Sequence, residues 1–269
     1  MLGIFDGKTK VIIGMVHLDA LPGTPLYNAD RGIDGIIANA RTDLAALQDN
    51  GIDSVMFGNE NDRPYSLSAP QESVACMSAI VSALRPAIRV PFGVNYLWDP
   101  KASVAIAVAT RADYVREIFT GVYASDMGLW TPDAENAARL RRNLGRPDLK
   151  FLFNVNAEFA AALDTRPIGL RARSAVFSSL ADAILVSGPL TGDPVENSAL
   201  REVRAAVKAV PVFANTGVNH DNVDAILSLA DGCVVGTHFK VDGNTWNKVD
   251  GARVRRFMEK VERIRGGAG

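Results

Sequence analysis

Cysteine is nearly absent. Cys76 and Cys233 are the two in 269 residues and form no C-x-x-C pair, which excludes a disulfide-stapled scaffold and a thiolate zinc site and leaves both as reduced core residues. Long apolar runs are missing too: none reaches the roughly 18 residues of a membrane-spanning candidate. The opening MLGIFDGKTK lacks the apolar centre of a secretory signal. A cytoplasmic protein without integral membrane association is the expectation. Charge of one sign is also lacking, with 29 basic against 30 acidic residues and no basic stripe, so nucleic acid is not an expected partner. Aromatic residues make up 7%, sparse for a protein built to bind other proteins through exposed apolar surface. No nucleophile elbow, Walker loop or dinucleotide fingerprint occurs in its required context. His17, His220 and His238 are too scattered for a zinc triad.

What the chain does have is one pattern repeated eight times. Short β-branched runs at residues 11–17, 54–57, 91–95, 113–119, 151–156, 183–187, 212–214 and 233–235 read as strands. Between them, three- and four-residue apolar spacing predicts helices over 34–50, 71–84, 103–110, 168–180 and 196–210, and a charged helix over 250–264. Thr131-Pro132 reads as a capping hydroxyl followed by proline at the first helical position. Nothing resembles a linker, so residues 1–269 are expected to form one α/β domain, a (β/α)8 TIM barrel, with an open doubly wound sheet as the alternative.

Such a barrel presents its reactive groups at the C-terminal ends of its strands. The candidates there are His17, Asn59, Glu60, Asn95, Arg116, Glu117, Asn154, Asn156, Glu158, Asn215, Thr216, Gly217, Gly236 and Thr237. On the fifth strand, alternation puts Leu152, Asn154, Asn156 and Glu158 on one side and Phe151, Phe153 and Val155 on the other. The aromatics should meet helices, which sends the amides to the mouth to bind substrate, although a self-satisfied polar layer is the competing reading. Adjacent Arg116 and Glu117 should face opposite ways: Glu117 is expected inside as an acid or base with Arg116 outside against a helix, the reverse making Arg116 a substrate-binding anion clamp. Glu60 is the second carboxylate, and two carboxyls in a partly dry mouth separate into an acid and a base. His17 could share that work, against the plainer role of a structural histidine.

The stretch 211–240 reads as strand, Asn215-Thr216-Gly217 turn, helix, strand and Gly236-Thr237 turn. Those turns are expected to hold a phosphate through backbone N–H groups, tight-turn glycines being the alternative. No lysine ends the fifth, sixth or seventh strand, which disfavours imine chemistry; Lys240 is read as an anion-binding or loop residue. Glu60, Glu117, Asp126 and Glu158 are compatible with a divalent cation, a weak signal for carboxylates spread over separate loops.

The stretches MVHLDALPGTPLY, GIDSVMFGNENDRPY, VPFGVNYLWDPKA, VREIFTGVYASDMG, VPVFANTGV and DGNTWNKVD together resemble the BtpA/SgcQ family of TIM-barrel proteins over about residues 12–250. The resemblance implies the same barrel and no established reaction. One branch of the family is named for photosystem I accumulation and another lies with carbohydrate genes. Two functions follow as expectations. The first is an enzyme acting on a phosphorylated sugar or nucleoside-like sugar derivative by carboxylate acid–base chemistry, as isomerase, lyase or glycosidic hydrolase; the second is an assembly or stability factor without chemistry. Barrels of this kind often self-associate, so a homo-oligomer is the expected state.

Overall fold

The computed structural model describes residues 2–5 and 7–267; residues 1, 6, 268 and 269 of the expected unit lie outside the described set. Eight parallel strands close into a barrel in the order β1-β11-β10-β9-β7-β4-β3-β2. They are β1 (Val11–His17), β2 (Ser54–Gly58), β3 (Phe92–Asn95), β4 (Tyr114–Glu117), β7 (Lys150–Asn154), β9 (Ala183–Ser187), β10 (Val212–Asn215) and β11 (Gly232–Val235). Helices α1 (Gly32–Gln48), α2 (Gln71–Leu84), α3 (Pro100–Thr110), α4 (Ala134–Asn143), α5 (Ile168–Ser179), α6 (Asn197–Ala206), α7 (Val223–Leu229) and α8 (Gly251–Arg265) follow the barrel strands in turn.

Strand alternation divides the apolar residues into two cores. Val16, Phe57, Val94, Val115, Phe151, Phe153, Val186, Ala214 and Val235 pack outward against the helices. Val11, Ile13, Met15, Met56, Tyr114, Leu152, Leu185, Phe213 and Val234 fill the interior, with Phe5 joining them. Burial on both faces explains why these strands read as nearly continuous apolar runs. Gly93 is needed because the Tyr114 ring crosses the interior, where a Cβ on Gly93 would stand 2.1 Å from it.

The sequence pattern missed a second, antiparallel sheet of three short strands, ordered β6 (Gly128–Trp130), β5 (Tyr123–Ser125), β8 (Ala160–Ala162). It is inserted after β4 and β7, and its Tyr123 and Trp130 pack with Trp98 and Ile118 from the loops after β3 and β4. Two helix starts also differ from expectation. Asp133, rather than Thr131, caps α4 by accepting from the Asn136 N–H. Asp99 caps α3, with Pro100 at its first position, so this strand-end acid has a local structural task. Lys240 is buried and paired with Asp43 at 2.8 Å, so it braces the β11–α8 loop and does not reach for an anion. No helix among the described residues is long and apolar enough to cross a membrane.

Candidate active site at the barrel mouth

Inward-facing residues change character in their last layer. Above the apolar interior, the last inward positions at or just past the strand ends are His17, Gly58, Asn95, Arg116, Asn154, Ser187, Asn215 and Gly236, each polar or glycine. These ends surround a cavity of about 260 Å³ lined in part by His17, Glu60, Arg116, Glu117, Asn154 and Asn215. Polar groups placed so deep must satisfy one another or meet a ligand.

Most satisfy one another. Arg116 Nε donates to Asn154 Oδ1 (2.7 Å), Nη1 to Asn95 Oδ1 (2.9 Å) and Nη2 to Glu158 Oε1 (3.2 Å). Asn154 also donates to Ser187 Oγ. In the amide orientation that satisfies both its ends, Asn215 accepts from Arg116 Nη2 (2.6 Å) and Ser187 Oγ (2.7 Å). Arg116 is thus the inward residue of β4, which corrects the expectation that it ties to a helix. The rule that adjacent residues diverge fails for Glu117 because the strand ends there: its carboxyl turns to accept from Trp98 N–H (2.6 Å) and Asn95 Nδ2 (3.1 Å) while lining the cavity. Burial pushes Glu117 up to about 8, against the pull of Arg116.

Three of the candidate amides are engaged by the protein itself. Asn59 donates to Asp62 Oδ2 (2.9 Å) and accepts from Leu97 N–H (2.8 Å). Asn95 is fully buried between Arg116 and Glu117. Asn156 lies past the end of β7 and clamps the backbone of Ser187 through both ends of its amide. None of the three lines the cavity. Glu158 lines it, but its oxygens accept from Arg116 and from Thr191 Oγ1 (2.7 Å).

Glu60 is different. Its carboxyl lies over Gly58, where a Cβ would stand 2.5 Å from Oε2, and Oε2 is buried with no hydrogen-bond partner among the described residues. Burial raises its pKa to about 7, opposed by weaker pulls that include Arg116 and Lys240. His17 stands beside it, Nε2 at 3.7 Å from Glu60 Oε1. The ring occupies the space a Cβ on Gly236 would take, 3.1 Å from Nε2. Burial first and the Lys240 charge second lower His17 to about 3, so His17 is neutral and the contact is no ion pair. Nδ1 lies 3.5 Å from the Thr245 carbonyl oxygen, which favours the Nδ1–H tautomer and turns the Nε2 lone pair toward Glu60. Gly58→Ala is expected to push the carboxyl aside at about 1–2 kcal/mol and return its titration toward 4.5; an unmoved midpoint, read by NMR, would contradict this placement.

The glycine turns have packing reasons of their own. Gly217 adopts φ +60°, and a Cβ there would meet Pro194 N at 2.2 Å. Thr216 Oγ1 accepts from Gly188 N–H (2.7 Å) and donates to the Asp193 carbonyl (2.7 Å), while Thr237 Oγ1 pairs with Thr245 Oγ1. These side chains are engaged within the protein, which leaves the backbone N–H groups of the turns as the candidate anion donors. The backbone N–H groups of Gly217 and Val218 have no acceptor among the described residues, and both residues line the cavity with Gly236, Thr237 and Arg253. Arg253, Tyr65, Trp98 and Phe159 line it without having stood out in the sequence. Among the described residues no group of three or more His, Cys, Asp or Glu side chains is placed to hold a metal ion.

Known proteins share both sequence and architecture with the chain. It is 46% identical over 96% of its length, and 97% of the relative's, to the putative sgc region protein SgcQ of Escherichia coli. To the photosystem I biogenesis protein BtpA of Synechocystis it is 31% identical, covering 93% of this chain and 87% of that one. Among solved structures, thiamine phosphate pyrophosphorylase from Pyrococcus furiosus superposes with a TM-score of 0.58 at 19% identity, covering 95% and 96% of the two chains; at that identity the likeness concerns the barrel alone. The BtpA family model matches residues 8–263, and the chain belongs to the BtpA family.

Proposed function

We propose that the barrel mouth is an enzyme site in which Glu60 carries a proton to and from a small hydroxylated, anionic substrate of the sugar-phosphate type. The observation that carries this reading is the Glu60 carboxyl: buried, unpartnered at Oε2, lining the cavity and titrating near 7. A proton carrier works best with its pKa near the working pH. His17, neutral and adjacent, turns its Nε2 lone pair toward the Glu60 carboxyl at 3.7 Å and orients its proton without taking it up. Glu117 has both oxygens engaged and supports the site beside it. The free N–H groups of Gly217 and Val218, near Arg253, suit an anionic group.

The reading is tested by proton NMR in D2O on a panel of sugar phosphates, watching for exchange or loss of a substrate C–H signal. Glu60→Gln is expected to lower the rate by about 10²–10⁴-fold, and Glu117→Gln by less; an undiminished rate in Glu60→Gln would contradict the assignment.

A second reading, association without chemistry, is favoured by one surface. On α5 Phe177 is 89% exposed and Leu170 is exposed too, as are Leu180 just past its end and Leu163 five residues before its start. Contiguous exposed apolar surface marks association sites. If copies of the barrel meet through this face, Phe177→Asp lowers the mass found by analytical ultracentrifugation; equal masses would remove α5 from consideration.

A further inference from the structure

Acid–base chemistry at Glu60 leaves one arc of the mouth without a task. In the closed order of strands, β2, β3, β4 and β7 are consecutive, and the loops that follow them bring Tyr65, Trp98, Ile118 and Phe159 to the cavity. The anion-suited turns follow β10 and β11, on the other arc. The cavity is therefore two-ended, with N–H groups and Arg253 at one side and aromatic rings at the other.

Two of those rings are held at a conformational cost. Trp98 has φ 73° and Phe159 φ 52°, a left-handed backbone that bulky residues rarely adopt. Glycine would meet the same backbone demand without strain, so what each position retains is the ring. Hydrogen bonds fix both: Trp98 N–H donates to Glu117 Oε1, and Phe159 N–H donates to the Pro189 carbonyl (3.1 Å). Trp98 backs edge-on against Trp130 with centroids 4.8 Å apart, which ties it to the small sheet. Phe159 lies 6.3 Å from Tyr65 and is only half buried, so core packing does not account for it. Strain of this kind collects at ligand sites.

We infer that Tyr65, Trp98 and Phe159 form a subsite for a flat aromatic or heteroaromatic ring, and that the substrate is a sugar or sugar phosphate bearing such a ring, of nucleoside or nucleotide type. This rests on the proposed function for the sugar half and adds the class of the attached group. Rings stack on aromatic faces whatever their edge pattern, so the subsite selects flatness and leaves the identity of the ring to its polar edge. A bare sugar phosphate leaves this arc in contact with water.

Isothermal titration calorimetry on the full chain tests it, with adenosine 5′-monophosphate, uridine 5′-monophosphate and ribose 5-phosphate as probes. At least one nucleotide is expected to bind about tenfold or more tightly than ribose 5-phosphate. Phe159→Leu, which keeps apolar bulk without the ring, should erase most of that difference while leaving ribose 5-phosphate binding within about twofold; Tyr65→Leu is the second variant should the first misfold. Equal affinities, no nucleotide binding, or nucleotide affinity unchanged in both variants would overturn the inference. Glu60 is judged separately by its own titration, so ring binding beside an ordinary Glu60 would sink the acid–base reading and leave the ring subsite standing.

Discussion

Glu60→Gln is expected to stabilise the protein by about 3 kcal/mol at pH 8 and by little at pH 5, as the raised carboxyl pKa requires at about 1.4 kcal/mol per unit. Below pH 4.5 the group is protonated in native and unfolded chains alike. Between 4.5 and about 7 the unfolded chain has released its proton while the native one retains it, so stability falls as pH rises. Above 7 the whole deficit is present, because a charge then sits over Gly58 with an oxygen that finds no donor. An amide of the same shape carries no charge to desolvate, and its N–H can donate toward the Nε2 lone pair of His17. Urea unfolding of both proteins at the two pH values checks this. His17 contributes the opposite slope, since its lowered pKa weakens the native state as pH falls below 6.5, but it does so in both proteins and cancels in the difference. A shift of equal size at pH 5 and pH 8 would contradict the placement of Glu60.

Arg116→Leu should be the most damaging single change at the mouth, at about 3–5 kcal/mol, the range for breaking a buried ion pair by removing one partner. Arg116 is 8% exposed and donates to Asn154, Asn95, Glu158 and Asn215. Its loss leaves a nearly buried carboxylate and three amide oxygens without their donor. Arg116→Lys is expected to recover less than half of the stability, because one ammonium cannot span three directions that the planar fork serves together. Denaturant midpoints of the three proteins decide the matter. A loss under about 1 kcal/mol in Arg116→Leu would mean that the network relaxes or hydrates freely.

The barrel was legible because period-two alternation and turn residues act locally. All eight barrel strands stand where β-branched runs predict them, and the split of β7 into Leu152 and Asn154 inside, Phe151 and Phe153 outside, follows from alternation alone. Alternation also puts Arg116 inside, since Tyr114 fills the interior and Val115 packs outward; taking the Val115–Glu117 side as the inner face is what misplaces it, and Glu117 reaches the mouth only because β4 stops there. Asn59, Asn95 and Asn156 look like ligand groups in sequence, and only their partners, 3 to 38 positions away, show that they bind the protein to itself. Trp98 and Phe159 gave no signal, since a left-handed backbone at a bulky residue is imposed by tertiary hydrogen bonds. The small sheet escaped notice because its strands have three residues each, too few for a period to register.

Proton transfer at the barrel mouth depends on the protonation state of the Glu60 carboxyl. Carbon-13 NMR titration of the glutamate side-chain carboxyls, with Glu60→Gln supplying the assignment, reads it directly. A Glu60 midpoint near 7 is the predicted result; a midpoint near 4, like that of a solvated glutamate, would contradict the proposal that this residue carries the proton.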